Sequence, residues 1–186
     1  GKFLESIAEA DTIVFDKTGT LTKAEPTVVK VISFNGESED ELLRTAACLE
    51  EHFPHSMAKA VVDAAKKRGL DHEEKHSKVE YIVAHGISTQ LDGKKTIIGS
   101  HHFVFEDEAC HIPEGKEELF EHLPLEYSHL YLAIEGELAA VICIEDPLRP
   151  EAADAIRALK KCGISKVVMM TGDSDRTARA IAKRVG

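Results

Sequence analysis

Two short apolar runs near opposite ends of the chain follow one rule: each is a β-prone stretch that stops at a turn carrying an aspartate. Thr12-Ile-Val-Phe15 leads into Asp16 and a Gly/Thr turn, and Lys166-Val-Val-Met-Met170 leads into Thr171-Gly172-Asp173. Each reads as a buried strand that ends in a functional loop. The second run is flanked by helical patterns. Ahead of it Pro150 sits near a first turn, Glu151 and Asp154 come early, Ala153, Ile156 and Leu159 make a stripe, Lys160 and Lys161 come late, and Gly163 is the stop. Behind it Ser174 is a suitable N-cap, with Ala178, Ile181, Ala182 and Val185 on one face. Strand, loop and helix in alternation predict an α/β order with a parallel sheet, and ligands of such sheets gather beyond the carboxyl ends of the strands. Asp16 and Asp173 both fall there.

Between the two runs lie about 120 residues of different character, so the simplest topology is one domain inserted into another. The expected boundaries are near Glu25-Pro26 and near Glu145-Asp146-Pro147, giving a discontinuous domain, 1–25 with 146–186, and an insert, 26–145. The insert opens with a strand pattern at Val28 to Phe34 and an Asn35-Gly36 turn. Two helices follow. The first begins at a capping box, Ser38 with Glu41, and carries Leu42, Leu43, Ala46 and Leu49; the second begins at Ser56 and carries Ala60, Val61, Ala64 and Ala65 before Gly69. Strand patterns then run over Val79 to Val83, Ile87 to Leu91 and Lys95 to Ile98, with a turn at Asp92-Gly93, and a hairpin pairs Leu130 to Ile134 with Leu138 to Ile144 around Glu135-Gly136. The insert is therefore α+β on a largely antiparallel sheet. Glu106 to Glu126, acidic and broken by Pro113 and Pro124, reads as loop with one short helix.

Composition excludes several classes. A chain of 186 residues with 43% hydrophobic and 30% charged residues can bury one or two cores. No stretch approaches the ~20 apolar residues of a bilayer span, and GKFLESIAEAD lacks the layout of a signal peptide; the chain reads as soluble, without direct membrane insertion. A net charge of -10 argues against a nucleic-acid interface and leaves room only for small anion sites. The four cysteines, at 48, 110, 143 and 162, form no C-x-x-C pair, which suggests reduced, mostly buried thiols rather than disulfides or zinc. His101-His102 and His52 with His55 lack the spacing and partners of a metal site.

Asp16 is followed by Lys17 and the small residues Thr18-Gly19-Thr20. A carboxylate at a strand end beside such a turn suits covalent phosphoryl transfer, with backbone amides receiving phosphate oxygens and magnesium bridging the carboxylate and the transferring group. The full run Asp16 to Thr22, DKTGTLT, resembles the phosphorylation signature of the P-type ATPases. Asp146-Pro-Leu-Arg149-Pro150 resembles their D-P-x-R segment and Met170-Thr-Gly-Asp173 their T-G-D loop, in the family's order. This resemblance implies a haloacid-dehalogenase-like, Rossmann-type phosphorylation domain carrying an inserted nucleotide-binding domain. It implies that Asp16 is the nucleophile, with Lys17, Thr171 and Asp173 completing the catalytic set, that Asp16 and the Thr18 backbone hold Mg2+, and that Asp146 and Arg149 lie near the nucleotide. Hydrolytic relatives in the wider superfamily usually carry an acid-base Asp two positions after the nucleophile. Here that position is Thr18, so a long-lived aspartyl-phosphate is expected.

The insert resembles that of the heavy-metal-transporting class, by Glu50, by His55 at the start of the second helix, by Gly86 in Ala84-His85-Gly86-Ile87 and by Gly99 in Ile98-Gly99-Ser100. Pro54-His55-Ser56, Ala84 and Ser100 depart from the Glu-His-Pro, first-glycine and Asn positions of that class. The resemblance assigns Glu50, His55, Gly86 and Gly99 to ATP, with His52 a rival for the adenine contact. Its implied partners are ATP and the transmembrane and actuator domains of a full-length membrane pump, with this part on the cytoplasmic side. The family's G-D-G-x-N-D segment has no match before Gly186, so the magnesium site is expected to be incomplete and turnover by this chain poor or nil. Two rival readings remain at this stage: a soluble phosphatase or phosphomutase of the same superfamily, and a non-catalytic nucleotide-sensing module.

Overall fold

Thr12–Asp16 (β1) pairs in parallel with Lys166–Met170 (β8), in a register that sets Asp16 opposite Met170. The pairing comes from a computed structural model, which describes residues 1–51, 56–70, 80–82 and 86–186. The chain divides into two compact units, 1–25 with 146–186 and 26–145.

In the first unit the two strands form a sheet of their own. Helices Ala152–Lys161 (α5) and Asp175–Val185 (α6) supply Ala152, Ile156 and Val185 to a core with Leu21, against which Phe15, Val167 and Met169 pack. The helix signals act much as read. Ser174 caps α6 by accepting from the Thr177 amide at 3.4 Å, and Gly163, at φ +105°, follows α5. The stripes shift by a residue: α5 buries Ala152 rather than Ala153, and α6 buries Thr177 with Ile181 and Val185 while Ala182 is exposed. A short helix that the sequence did not announce, Lys2–Ala8 (α1), precedes β1.

The second unit is a six-stranded antiparallel sheet in the order β2-β7-β6-β5-β4-β3. Its strands are Thr27–Ser33 (β2), Glu80–Ile82 (β3), Gly86–Leu91 (β4), Lys94–Gly99 (β5), Ser128–Ile134 (β6) and Glu137–Glu145 (β7). The strand expected over Val79 to Val83 is described only at β3. Both hairpin turns have paired positive φ, Asp92 +49° with Gly93 +78° and Glu135 +52° with Gly136 +81°, the type I′ signature that matches strand twist. Helices Glu39–Glu50 (α2) and Ser56–Lys67 (α3) cover one face. Ser38 accepts from the Glu41 amide at 3.2 Å to start α2, and Leu42, Leu43, Ala46, Leu49, Val61 and Ala65 join Val31, Ile98, Leu132 and Ile142 in one core.

On the other face the acidic segment Glu106 to Glu126 is loop with one short helix, as expected, but it and the residues just before it are packed down onto the sheet. Phe103, Val104, Cys110 and Leu123 form a second core with Phe34, Ile97, Tyr131, Val141 and Cys143; a single wide helical turn of π type at Phe103–Asp107 and the short helix Glu117–Glu121 (α4) punctuate the segment. With both faces covered, β7 is buried from Leu138 to Ile144, which is why that run is apolar without alternation. A bulge moves its register: Leu132 pairs with Ala140 but Ala133 with Leu138, leaving Ala139 extra. Consequently Leu138 and Val141 share the second core although three residues apart.

Among the described residues no disulfide forms; Cys48, Cys110 and Cys143 are buried and Cys162 is exposed. Burial pushes the Cys143 thiol up to about 11 and raises Cys110 for the same main reason, so their reactive thiolates are scarce near neutral pH. An alkylating reagent applied to the native protein at about pH 8 is expected to add one adduct, at Cys162, and to reach the rest only in denaturant. Rapid addition of a second adduct to folded protein, read by mass spectrometry, contradicts this burial.

Candidate functional site

At the carboxyl end of β1 the chain makes a sharp turn. Thr18 has φ -76° and ψ 121°, and Gly19 has φ 80° and ψ -11°, the dihedrals of a type II turn, whose third position favours glycine because φ is positive there. The Thr22 amide closes a wider loop by donating to the Lys17 carbonyl at 3.1 Å. Asp16 is exposed, whereas Lys17, the next residue, is 5% exposed.

Lys17 turns inward to Asp173: Nζ lies 2.5 Å from Oδ2, with both side chains under a tenth exposed. The Thr171 hydroxyl donates to the same Oδ2 at 2.8 Å and accepts from the Asp173 amide at 3.1 Å. The two loops named by the sequence are thus joined at one point. Asp16, Met170, Thr171, Gly172, Asp173 and Asp175 line an open depression of ≈ 610 Å³. Asp175 is bound to Arg179, 2.7 Å away, so each of the other two carboxylates lining the depression already has a cation.

Asp146 and Arg149 lie against the loop after Asp16. The Thr22 hydroxyl donates to Asp146 Oδ2 at 2.5 Å, and the Glu25 amide donates to Oδ1 at 3.2 Å. Arg149 donates through Nε to the Thr20 carbonyl at 3.1 Å and through a terminal nitrogen to the Gly19 carbonyl at 3.3 Å. Nothing in the spacing of Thr22 to Asp146 announced this; the signal was only that both sit inside motifs.

In the 26–145 unit, Glu50 is 2% exposed at the end of α2. Gly86 and Gly99 face each other across β4 and β5. A Cβ at Gly86 overlaps the Phe103 ring and the Ile98 carbonyl oxygen, so glycine there meets a packing need of the second core. His52, His55 and the Ala84-His85 turn lie outside the described residues. Among the described residues, no three His, Cys, Asp or Glu side chains converge on a cation position, and no helix is long and apolar enough to cross a membrane. The oxygen donors that are present, the Asp16 carboxylate and the Thr18 carbonyl, suit Mg2+, which takes one or two carboxylates and keeps several waters.

An aspartate at the end of a parallel strand, followed by a tight turn and by a lysine paired to a second strand-end aspartate, is an α/β arrangement with its polar groups gathered at the carboxyl ends of the strands. A family model for haloacid dehalogenase-like hydrolases matches residues 10–186, and the chain belongs to that family. Within it the chain resembles heavy-metal P-type ATPases. It is 34% identical over 191 residues to the silver exporting P-type ATPase of Salmonella typhimurium, covering 98% of this chain and 22% of that protein. A solved structure of the catalytic domain of the CPx-ATPase CopB-B matches at TM-score 0.70 and 26% identity, covering all of this chain and 62% of that one. The N-domain of HMA8, a copper-transporting P-type ATPase, matches at TM-score 0.57 and 27% identity, covering 64% of this chain and 99% of that one. The chain spans between 22% and 26% of the length of the curated relatives it matches.

Replacing Lys17 with methionine leaves Asp173 buried without its cation, and the loss of one partner of a buried pair costs about 3–5 kcal/mol. Urea unfolding of Lys17→Met should show a drop of that order, and a midpoint equal to wild type argues against the ion pair.

Proposed function

We propose that this chain is the ATP-binding and phosphorylation part of a heavy-metal-translocating P-type ATPase, in which Asp16 accepts the γ-phosphoryl group of ATP. One observation carries the reading: Asp16 is an exposed carboxylate at the end of β1, in a depression whose other two carboxylates are held by Lys17 and Arg179. In the transfer an Asp16 carboxylate oxygen bonds to the γ-phosphorus as the bond from that phosphorus to the β,γ-bridging oxygen breaks. ADP leaves with the electron pair, and an aspartyl-phosphate remains. Mg2+ held by Asp16 and the Thr18 carbonyl supplies charge neutralisation on the phosphoryl oxygens. Lys17 and Thr171 fix Asp173 and with it the loop that borders the site, and Thr171 contacts the phosphoryl group. Thr18 provides no carboxylate for acid-base hydrolysis, so the phosphoenzyme persists as a store of free energy for a conformational change.

The unit 26–145 binds the nucleotide, and 1–25 with 146–186 forms the phosphorylation domain. The near-complete coverage of a solved N-domain by about two thirds of this chain supports that division. Glu50, His55, Gly86 and Gly99 recognise ATP, with His55 at the adenine. The support is placement: α2, which ends in Glu50, packs on β4, the strand that opens with Gly86 paired to Gly99. Transmembrane and actuator domains of the same protein are the partners, and this part faces the cytoplasm.

The test is label from γ-labelled ATP in the full-length protein. Wild type should give acid-stable label that Asp16→Asn abolishes, while the chain's affinity for an ATP analogue without magnesium stays within about twofold, since the unit 26–145 holds the nucleotide in this reading. Label that survives Asp16→Asn places the nucleophile elsewhere. Rapid turnover of small phosphate esters by this chain favours a phosphatase instead.

A further inference from the structure

The side-chain hydrogen bonds of Asp146 and Arg149 go to residues 19–25, the segment that follows Asp16. Four residues, Asp146 to Arg149, run along Leu21 to Lys23: the Lys23 amide donates to the Pro147 carbonyl at 3.0 Å, the Arg149 amide to the Leu21 carbonyl at 2.8 Å, and Thr22 bridges Leu148 in antiparallel register. At the centre is Thr22, 1% exposed. Its oxygen accepts from the Gly19 amide at 3.0 Å while its hydroxyl proton goes to Asp146. A hydroxyl has one proton to give and lone pairs to receive. Given to Asp146 at 2.5 Å, that proton leaves the Lys17 carbonyl, 3.3 Å away, to the Thr22 amide that already serves it. Arg149 then holds the carbonyls on either side of the Gly19–Thr20 peptide's amide. Because a trans peptide sends its C=O and N–H in opposite directions, fixing the Gly19 oxygen fixes the direction of the Thr20 N–H.

We propose that Thr22, with Asp146 and Arg149, is a positioning set that holds the type II turn after Asp16 in the shape needed for phosphoryl transfer, and that Asp146 and Arg149 act on this loop rather than on the nucleotide. The inference rests on Asp16 being the phosphoryl acceptor. Its physical basis is that a glycine-centred turn with an exposed tip is soft by itself, while transfer is sensitive to misplacement of about an ångström. The clamp joins three backbone groups of the turn to two side chains of one rigid segment. Asp146 also ties down the Glu25 amide, so the points where the chain leaves this unit and re-enters it share one carboxylate.

The experiment has two parts. On this chain, hydrogen exchange at the Gly19 amide reads the clamp: Thr22→Val should speed exchange and Thr22→Ser, which keeps the hydroxyl, should restore protection. In the full-length protein, Thr22→Val should phosphorylate about ten-fold or more slowly with ATP-analogue affinity unchanged, and Thr22→Ser should recover the rate. Arg149→Met, an exposed position that tolerates substitution in folding, is the second variant and should show the same split between rate and affinity. Equal rates in Thr22→Val and wild type, an unchanged Gly19 amide, or loss of nucleotide affinity in Arg149→Met each overturn the positioning role. A wild type that takes no label at Asp16 is a different result: it overturns the phosphoryl-acceptor reading itself, and the positioning role with it.

Discussion

Lys17 and Asp173 are 156 positions apart in sequence, and their buried ion pair exists because β1 and β8 end at the same level. Two isolated parallel strands are a weak element, since their hydrogen bonds are slanted and the pairing is slightly less stable than antiparallel pairing. What closes the long connection at low entropic cost is the inserted unit. Its first strand and last strand pair with each other, with Thr27 opposite Glu145, so the insert returns the chain near the point where it left. The effective loop between β1 and α5 is then short, and loop-closure cost, which grows only with the logarithm of length, stays small. The apolar contacts of Phe15, Val167 and Met169 with α5 and α6 anchor the face, and the ion pair fixes which loop meets which.

This geometry separates three carboxylates that stand within one depression. Desolvated charge needs a partner, and Asp173, under a tenth exposed, has Lys17 and the Thr171 hydroxyl. Asp175 lies on the first turn of α6, where a negative charge also meets the favourable end of the helix dipole. Asp16 stands outside both arrangements, at the exposed end of a strand. The same residue types therefore take different roles through position alone. Asp173 ties down the loop after β8, Asp175 pairs along α6 with Arg179, and Asp16 stands exposed at the end of β1.

The sequence made the strand-end aspartates legible because an apolar run followed by Asp and Gly is a local signal. It made the helix starts legible too, since Ser38 and Ser174 act as caps through bonds three residues long. Side-chain pairing across the insert was not legible. Neither the Lys17–Asp173 pair nor the Thr22–Asp146 bond leaves a trace in periodicity, because each joins residues more than a hundred positions apart. The burial of the segment after Gly99 was illegible for another reason. Its buried residues, Phe103, Val104, Cys110 and Leu123, follow neither a period of two nor one of 3.6, since a strap over a sheet buries whichever side chains its turns present.

That strap also changes what a glycine in β4 means. Gly86 was singled out for backbone approach to a base, and the structure gives the position a second obligation, because a side chain there meets Phe103 of the covering segment. Paired residues of antiparallel strands project to the same face, so Gly86 and Gly99 both lack a Cβ on the side where Phe103 packs, and Gly99 is buried there. Glu50 ends a helix whose other buried residues are apolar or a thiol, and a carboxylate only 2% exposed needs partners within the protein to offset its desolvation, so the end of α2 is held by polar contact where the rest of the helix is held by leucine and alanine.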